Sequence, residues 1–151
     1  MIILEYFLFL LIAIPLPLIL HEYGHVFFIK LFGGSVHKIV YGNGKKIFKI
    51  GKNVVCKNRF WTAEVDFSID SMTTGKEILV SAGGIIVNVI SATILWMIVE
   101  LNYLHPYLPI RGYIIHSYLI AVFTMIPQVY ADGTPNDGKH IMNLLRVKRK
   151  Q

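Results

Sequence analysis

Three long apolar tracts decide what this chain can become. Residues 2–33 hold "IILEYFLFLLIAIPLPLIL" and run on into "HEYGHVFFIKLFG"; residues 77–104 read "EILVSAGGIIVNVISATILWMIVELNYL"; residues 113–130 read "YIIHSYLIAVFTMIPQVY". Each reaches or approaches the roughly 20 residues that cross a hydrocarbon core about 30 Å thick. Over 151 residues, 54% are hydrophobic and only 16% charged, with a mean hydropathy of +0.55, which is too little charge to solvate the helices of a soluble domain of this size. The expected fold is a mainly α membrane protein with three transmembrane helices and one domain, residues 1–151. A cleaved leader is not expected, because the first tract has neither a basic n-region nor an A-x-A site.

Charge orients the spans. Nine of the 15 Lys and Arg residues lie between Lys30 and Lys76, five lie between Lys139 and Lys150, and Arg111 stands alone in the other loop. The positive-inside rule then predicts an extracytoplasmic N-terminus and a cytoplasmic C-terminus. The net charge of +6 is accordingly topological, drawn to anionic headgroups of the lipid bilayer, and no nucleic-acid partner is expected.

Between the first two spans, His37 to Asp70 reads "HKIVYGNGKKIFKIGKNVVCKNRFWTAEVDFSID". Its short β-prone runs, "KIVY", "KIFKI", "NVVCK" and "FWTAEVDF", are separated by "GNG" and "GKN", which are hairpin turn signals. A small cytoplasmic β-hairpin region over about residues 35–70 is predicted. The sole cysteine, Cys56, excludes a disulfide framework and a Cys-based zinc site. No internal repeat, low-complexity tract or added soluble module is visible, so the membrane core has to carry the function.

The first apolar tract contains His21, Glu22 and His25. Two histidines and a carboxylate buried in lipid without a common partner would each cost several kcal/mol of desolvation. At i, i+4 spacing the two rings share one helix face, about 40° and one turn apart, so both can reach a single ion. Glu22 stands where it can take a proton from water activated at that ion, which is the chemistry of H-E-x-x-H. Gly24 leaves one side of the helix bare for close approach by another element. The rival reading is an interhelical hydrogen-bond cluster without metal.

A catalytic zinc usually has three protein ligands and an open position. Candidates for the third are Asp132, Asp137, His116 and His140. Pro127 should break the third span, and a broken backbone at membrane depth is tolerated only where it lines a protein or water cavity. The span is therefore expected to run over about 113–146, broken near 127–136.

Taken together, His21-Glu22-x-x-His25, "SAGGIIVN" and "IPQVYADGTPNDGKHI" resemble the site-2 protease family of intramembrane zinc metalloproteases, over nearly the whole chain. The resemblance implies one Zn2+ ion held by His21, His25 and an Asp-Gly aspartate, with Glu22 as the catalytic base. Two departures stand out: Ile85 replaces the usual proline of the family's Gly-Pro-x-x-Asn motif, in which Gly84 and Asn88 fit, and Thr124 replaces an asparagine three residues before Pro127. Asn88 is a candidate for holding substrate backbone or a developing oxyanion, with an interhelical hydrogen bond as the alternative. Asp137 is favoured over Asp132, because "GKHIMNLLR" follows it as a helix whereas "GTPN" after Asp132 is a turn, and Asn or Asp before a helical run is a helix start. His140, one turn beyond Asp137, reads either as support for that ligand or as an interface residue.

The implied activity is zinc-dependent endopeptidase cleavage within or near transmembrane segments or hydrophobic leader peptides. Lys30, five residues past His25, can snorkel to the interface, which puts the reaction about 10 to 15 Å below the cytoplasmic surface. Expected partners are a transmembrane protein or peptide substrate, the bilayer and a separate regulatory membrane partner. The expected location is a bacterial cell membrane. The rivals are an inactive homologue that binds membrane partners, and a zinc-binding membrane carrier.

Overall fold

The computed structural model describes residues 2–130 and 133–149. Among these residues three helices are long and apolar enough to cross a membrane: Ile2–Leu31, Thr74–Glu100 and Leu108–Met125. The first is composite, with α1 (Ile2–Leu8), a π-helical turn (Phe9–Ala13) and α2 (Pro15–Leu31). Its irregularity has a local cause. Pro15 and Pro17 bring no backbone N–H, so the turn preceding them loses its usual i→i−4 donors.

A glycine closes α2. Gly33 takes φ 83°, its N–H donates to the Lys30 carbonyl at 3.0 Å, and the Gly34 N–H donates to Ile29 at 2.8 Å, a Schellman ending that turns the chain into the sheet. Strands β1 (Ser35–Ile50) and β2 (Asn53–Ser68) pair antiparallel. Ile39, Val40 and Tyr41 pair twice, with Val65, Glu64 and Ala63 on one side and with Asn53, Val54 and Val55 on the other, so this segment is interior to the sheet; Asn53 to Val55 pair in turn with Ile50, Lys49 and Phe48. Of the two expected hairpin turns, Gly51 (φ 57°) does turn the chain between β1 and β2. The "GNG" stretch does not. It is a bulged bend inside β1, with Asn43 opposite Asn58 and positive φ at Gly42 and Gly44; a Cβ on Gly42 would strike the Asn58 carbonyl.

Helices α3 (Thr74–Glu100) and α4 (Leu108–Met125) follow, and α5 (Asp137–Lys148) ends the described chain. Helix α4 stops where Pro127 forces Ile126 into an extended conformation, ψ 120°. The packing centre is α3, which touches α2, α4 and α5.

Two apolar clusters frame the middle of the molecule. Ile29, Val36, Ile39, Tyr41 and Val80 join the sheet to α2 and α3, while Ala13, Ala92, Tyr113 and Ile114 join the first helix to α3 and α4. Leu20 packs on the second cluster and Val26 on the first, so the polar segment from His21 to His25 falls at their junction. Elsewhere the helices present Leu10, Leu11, Ile90, Ile94, Ile115 and Val122 outward, as lipid-facing surfaces do.

Candidate metal centre

Helix α2 supplies His21 and Glu22, 3% and 5% exposed, with His25 one turn on. The two imidazole centroids lie 4.9 Å apart, edge to face. The group that joins them comes from α5. Asp137 places Oδ2 2.9 Å from His21 Nε2 and 3.6 Å from His25 Nε2, and one ligand atom from each of the three residues lies within 4.8 Å of the others. Among the described residues this is the one such group of three.

The tautomer of His25 is set by its other nitrogen. Nδ1–H donates to the Val80 carbonyl at 2.7 Å, which leaves the Nε2 lone pair facing Asp137. Two imidazoles and a carboxylate, with one ring already oriented by a backbone carbonyl, are a donor set that suits a catalytic zinc. The residues present therefore fit that ion.

Helix α3 makes room for these rings. A Cβ on Gly84 would lie 2.5 to 2.6 Å from three ring atoms of His21, and Gly24 and Gly83 bring the backbones of α2 and α3 into contact beside it. The bare flank expected at Gly24 is thus occupied by α3. One turn beyond Gly84, Asn88 is fully buried and places Nδ2 3.4 Å from His21 Nδ1.

Asp137 is held by the residue before it. Asn136, 5% exposed, accepts from the N–H groups of Gln128 (2.9 Å) and Lys139 (3.0 Å), and donates to the carbonyls of Ile126 (2.7 Å) and Phe123 (3.2 Å). One side chain thereby caps α5 and satisfies the opened end of α4. Gly138 completes the junction, since a Cβ there would collide with the Met125 carbonyl. Sequence reasoning passed over Asn136; its position as an N-cap before "DGKH" is the signal that marks it.

The other candidates are placed differently. Asp132 lies outside the described residues. His116 borders the cavity, but its Nδ1 donates to the Ala13 carbonyl at 3.0 Å and it stands apart from the three-residue group. His140 Nδ1 pairs with Ser81 Oγ at 2.7 Å, tying α5 to α3.

A cavity of about 1160 Å³ opens beside the group. His21, Glu22, His25 and Asp137 line it, as do Thr62, Ala63, Glu64 and Val65 of β2. Asn88 is not part of its wall. Nearby, burial raises the pKa of the Tyr41 phenol above its ordinary range, with the charge of Glu22 adding to the shift. The Tyr41 hydroxyl has no hydrogen-bond partner among the described residues.

Residues 9–145 match the family described as Peptidase family M50. The chain is 30% identical over 145 residues to a Bacillus subtilis (strain 168) protein described as "Uncharacterized membrane protein YwmF", covering 90% of this chain and 86% of that one. No solved structure matches.

Proposed function

Because the chain belongs to peptidase family M50, the site-2 proteases, we propose that it is an intramembrane zinc-dependent endopeptidase cutting peptide bonds within or near transmembrane segments or hydrophobic leader peptides. The observation that carries this reading is the convergence of His21 and His25 with Asp137, more than a hundred residues away in sequence, on the wall of a cavity large enough for a peptide.

His21, His25 and Asp137 would hold the ion. When bound, zinc supplies Lewis-acid polarisation of the scissile carbonyl and makes water acidic enough to attack near neutral pH. Glu22, buried on the cavity wall beside both histidines, takes the proton from the attacking water and passes it to the leaving amine. Val80 keeps His25 in one tautomer through the reaction. No covalent intermediate is required.

A peptide bond inside a helix is inaccessible, so substrate must unwind. The Thr62–Phe67 stretch of β2 lines the cavity, and residues 63–68 pair with β1 along one side. An extended substrate adds to the other edge, satisfying its backbone groups before it reaches the metal. Preferred substrates therefore carry helix-weakening residues. The basic sheet region and tail face the cytoplasm, the N-terminus faces outward, and access is controlled by a separate membrane partner or by prior cleavage.

Substitution of Glu22→Gln is the direct test. Cleavage of a model transmembrane substrate should stop while the purified protein keeps its zinc. Absence of zinc, or cleavage that survives the substitution, rules the reading out. An inactive homologue would bind substrate without cutting it in the unsubstituted protein, and a carrier would move zinc across vesicles.

A further inference from the structure

Helix α3 meets both histidines along one face. Val80, Gly84 and Asn88 recur every four residues, so they stack one turn apart. Val80 gives His25 Nδ1 a carbonyl, Gly84 gives the His21 ring its space, and Asn88 reaches His21 Nδ1. The arrangement is matched except at one atom. Asn88 Oδ1 is buried in a residue of zero exposure and has no hydrogen-bond partner among the described residues, while Nδ2 makes the 3.4 Å approach to His21.

Rotation of the carboxamide by half a turn exchanges those two atoms, a change nearly invisible in shape but decisive in hydrogen bonding. It brings the orphaned Oδ1 onto His21 Nδ1. His21 then donates Nδ1–H, as His25 does to Val80, and both rings present an Nε2 lone pair toward Asp137. Either orientation leaves one buried amide atom unpaired, so the choice is set by the ring: ligation through Nε2 needs the proton on Nδ1, and of the two amide atoms only Oδ1 can accept it.

We propose that Asn88 is a positioning residue of the metal site, its amide oxygen accepting the Nδ1 proton of His21 and fixing Nε2 as the donor, rather than a contact to substrate. The proposal rests on the metallopeptidase reading above. Its absence from the cavity wall agrees with a place behind the histidine. Outer partners of this kind orient ligating histidines, and their loss costs about 10- to 100-fold in metal affinity.

The test is zinc affinity of the full chain in detergent, read by competition against a chelator of known strength, in parallel with cleavage. Asn88→Leu, close in size and unable to accept, should bind zinc about 10- to 100-fold more weakly. Asn88→Ala should do the same, and serves where the leucine variant does not fold. Asn88→Asp, which can only accept, should retain the parent's affinity. Equal loss in Asn88→Asp and Asn88→Leu overturns the acceptor role. Unchanged zinc affinity with lost cleavage in Asn88→Leu or Asn88→Ala also overturns it, and assigns Asn88 to the substrate. If the parent itself binds no zinc, the metallopeptidase reading falls and this inference with it; a parent that binds zinc leaves only the inference at stake.

Discussion

Gly24 of α2 and Gly83 of α3 meet backbone to backbone. A Cβ on Gly83 would lie 2.5 Å from the Gly24 carbonyl oxygen, and a Cβ on Gly24 would overlap the Gly83 carbonyl. Such close approach is how helices associate in lipid, where apolar surface gives little driving force and van der Waals contact has to supply it. It also holds Gly84 beneath His21. Gly83→Ala should therefore lower stability by about 1–3 kcal/mol, the usual cost of overpacking, and weaken zinc binding as the helices part. Gly75→Ala, on the same helix with nothing within 4 Å of the added methyl, is the matched control and should be neutral or slightly stabilising. Thermal unfolding in detergent and chelator competition read both effects.

His116 has a structural use that separates it from the metal site. Pro17 cannot donate to the Ala13 carbonyl four residues back, and Ala13 is fully buried, so His116 Nδ1–H takes that place at 3.0 Å. His116→Leu should cost about 1–3 kcal/mol, the penalty of an unsatisfied buried acceptor. Zinc content should not change. A variant that lost zinc while keeping its melting temperature would instead place His116 among the ligands.

These cases show which features the chain displays in its sequence and which it hides. The pairing of His21 with His25 is local periodicity on one helix, and the end of α4 is written in Pro127, so both were legible. The β-prone runs were legible too, but not their connection: "GNG" has the composition of a hairpin turn, and only its pairing opposite Asn58 makes it a bulge. The Val80 carbonyl carries no residue identity, so no sequence pattern announces it. Asn136 looks like an ordinary helix cap until the open carbonyls of α4 are seen beside it.

Tyr41 offers a test in the alkaline range. Its phenol pKa is raised in the folded protein by burial, with the nearby charge of Glu22 adding to the shift. An acid whose folded pKa exceeds its unfolded value keeps its proton longer when folded, so the unfolded chain ionises first. Stability should then be fully present below about pH 10 and fall as pH rises beyond it. Tyr41→Phe should flatten that limb. Because the hydroxyl has no partner among the described residues, the same change should leave stability at neutral pH unaltered or raise it by about 1 kcal/mol. Melting temperatures of the two proteins from pH 7 to 11 decide the matter, and an unchanged alkaline limb in the variant would assign it to other groups.

The strongest demand on a single side chain falls on Asn136. Its oxygen accepts two backbone N–H groups and its nitrogen donates to two carbonyls, joining the end of α4 to the start of α5. Those backbone groups lie at a helix break, where lipid offers no replacement partners. Removing the amide should cost more than an ordinary cap, about 2 kcal/mol or above, and should loosen Asp137 one residue away. Asn136→Ala is therefore expected to lower both the melting temperature and zinc affinity. Asn136→Asp keeps the accepting half, the bonds from Gln128 and Lys139, and forfeits the donations to Phe123 and Ile126. It should fall between the parent and the alanine variant on both measures. If Asn136→Ala lowers stability but leaves zinc affinity at the parent value, Asp137 is held by its own helix, and the clamp serves the fold alone.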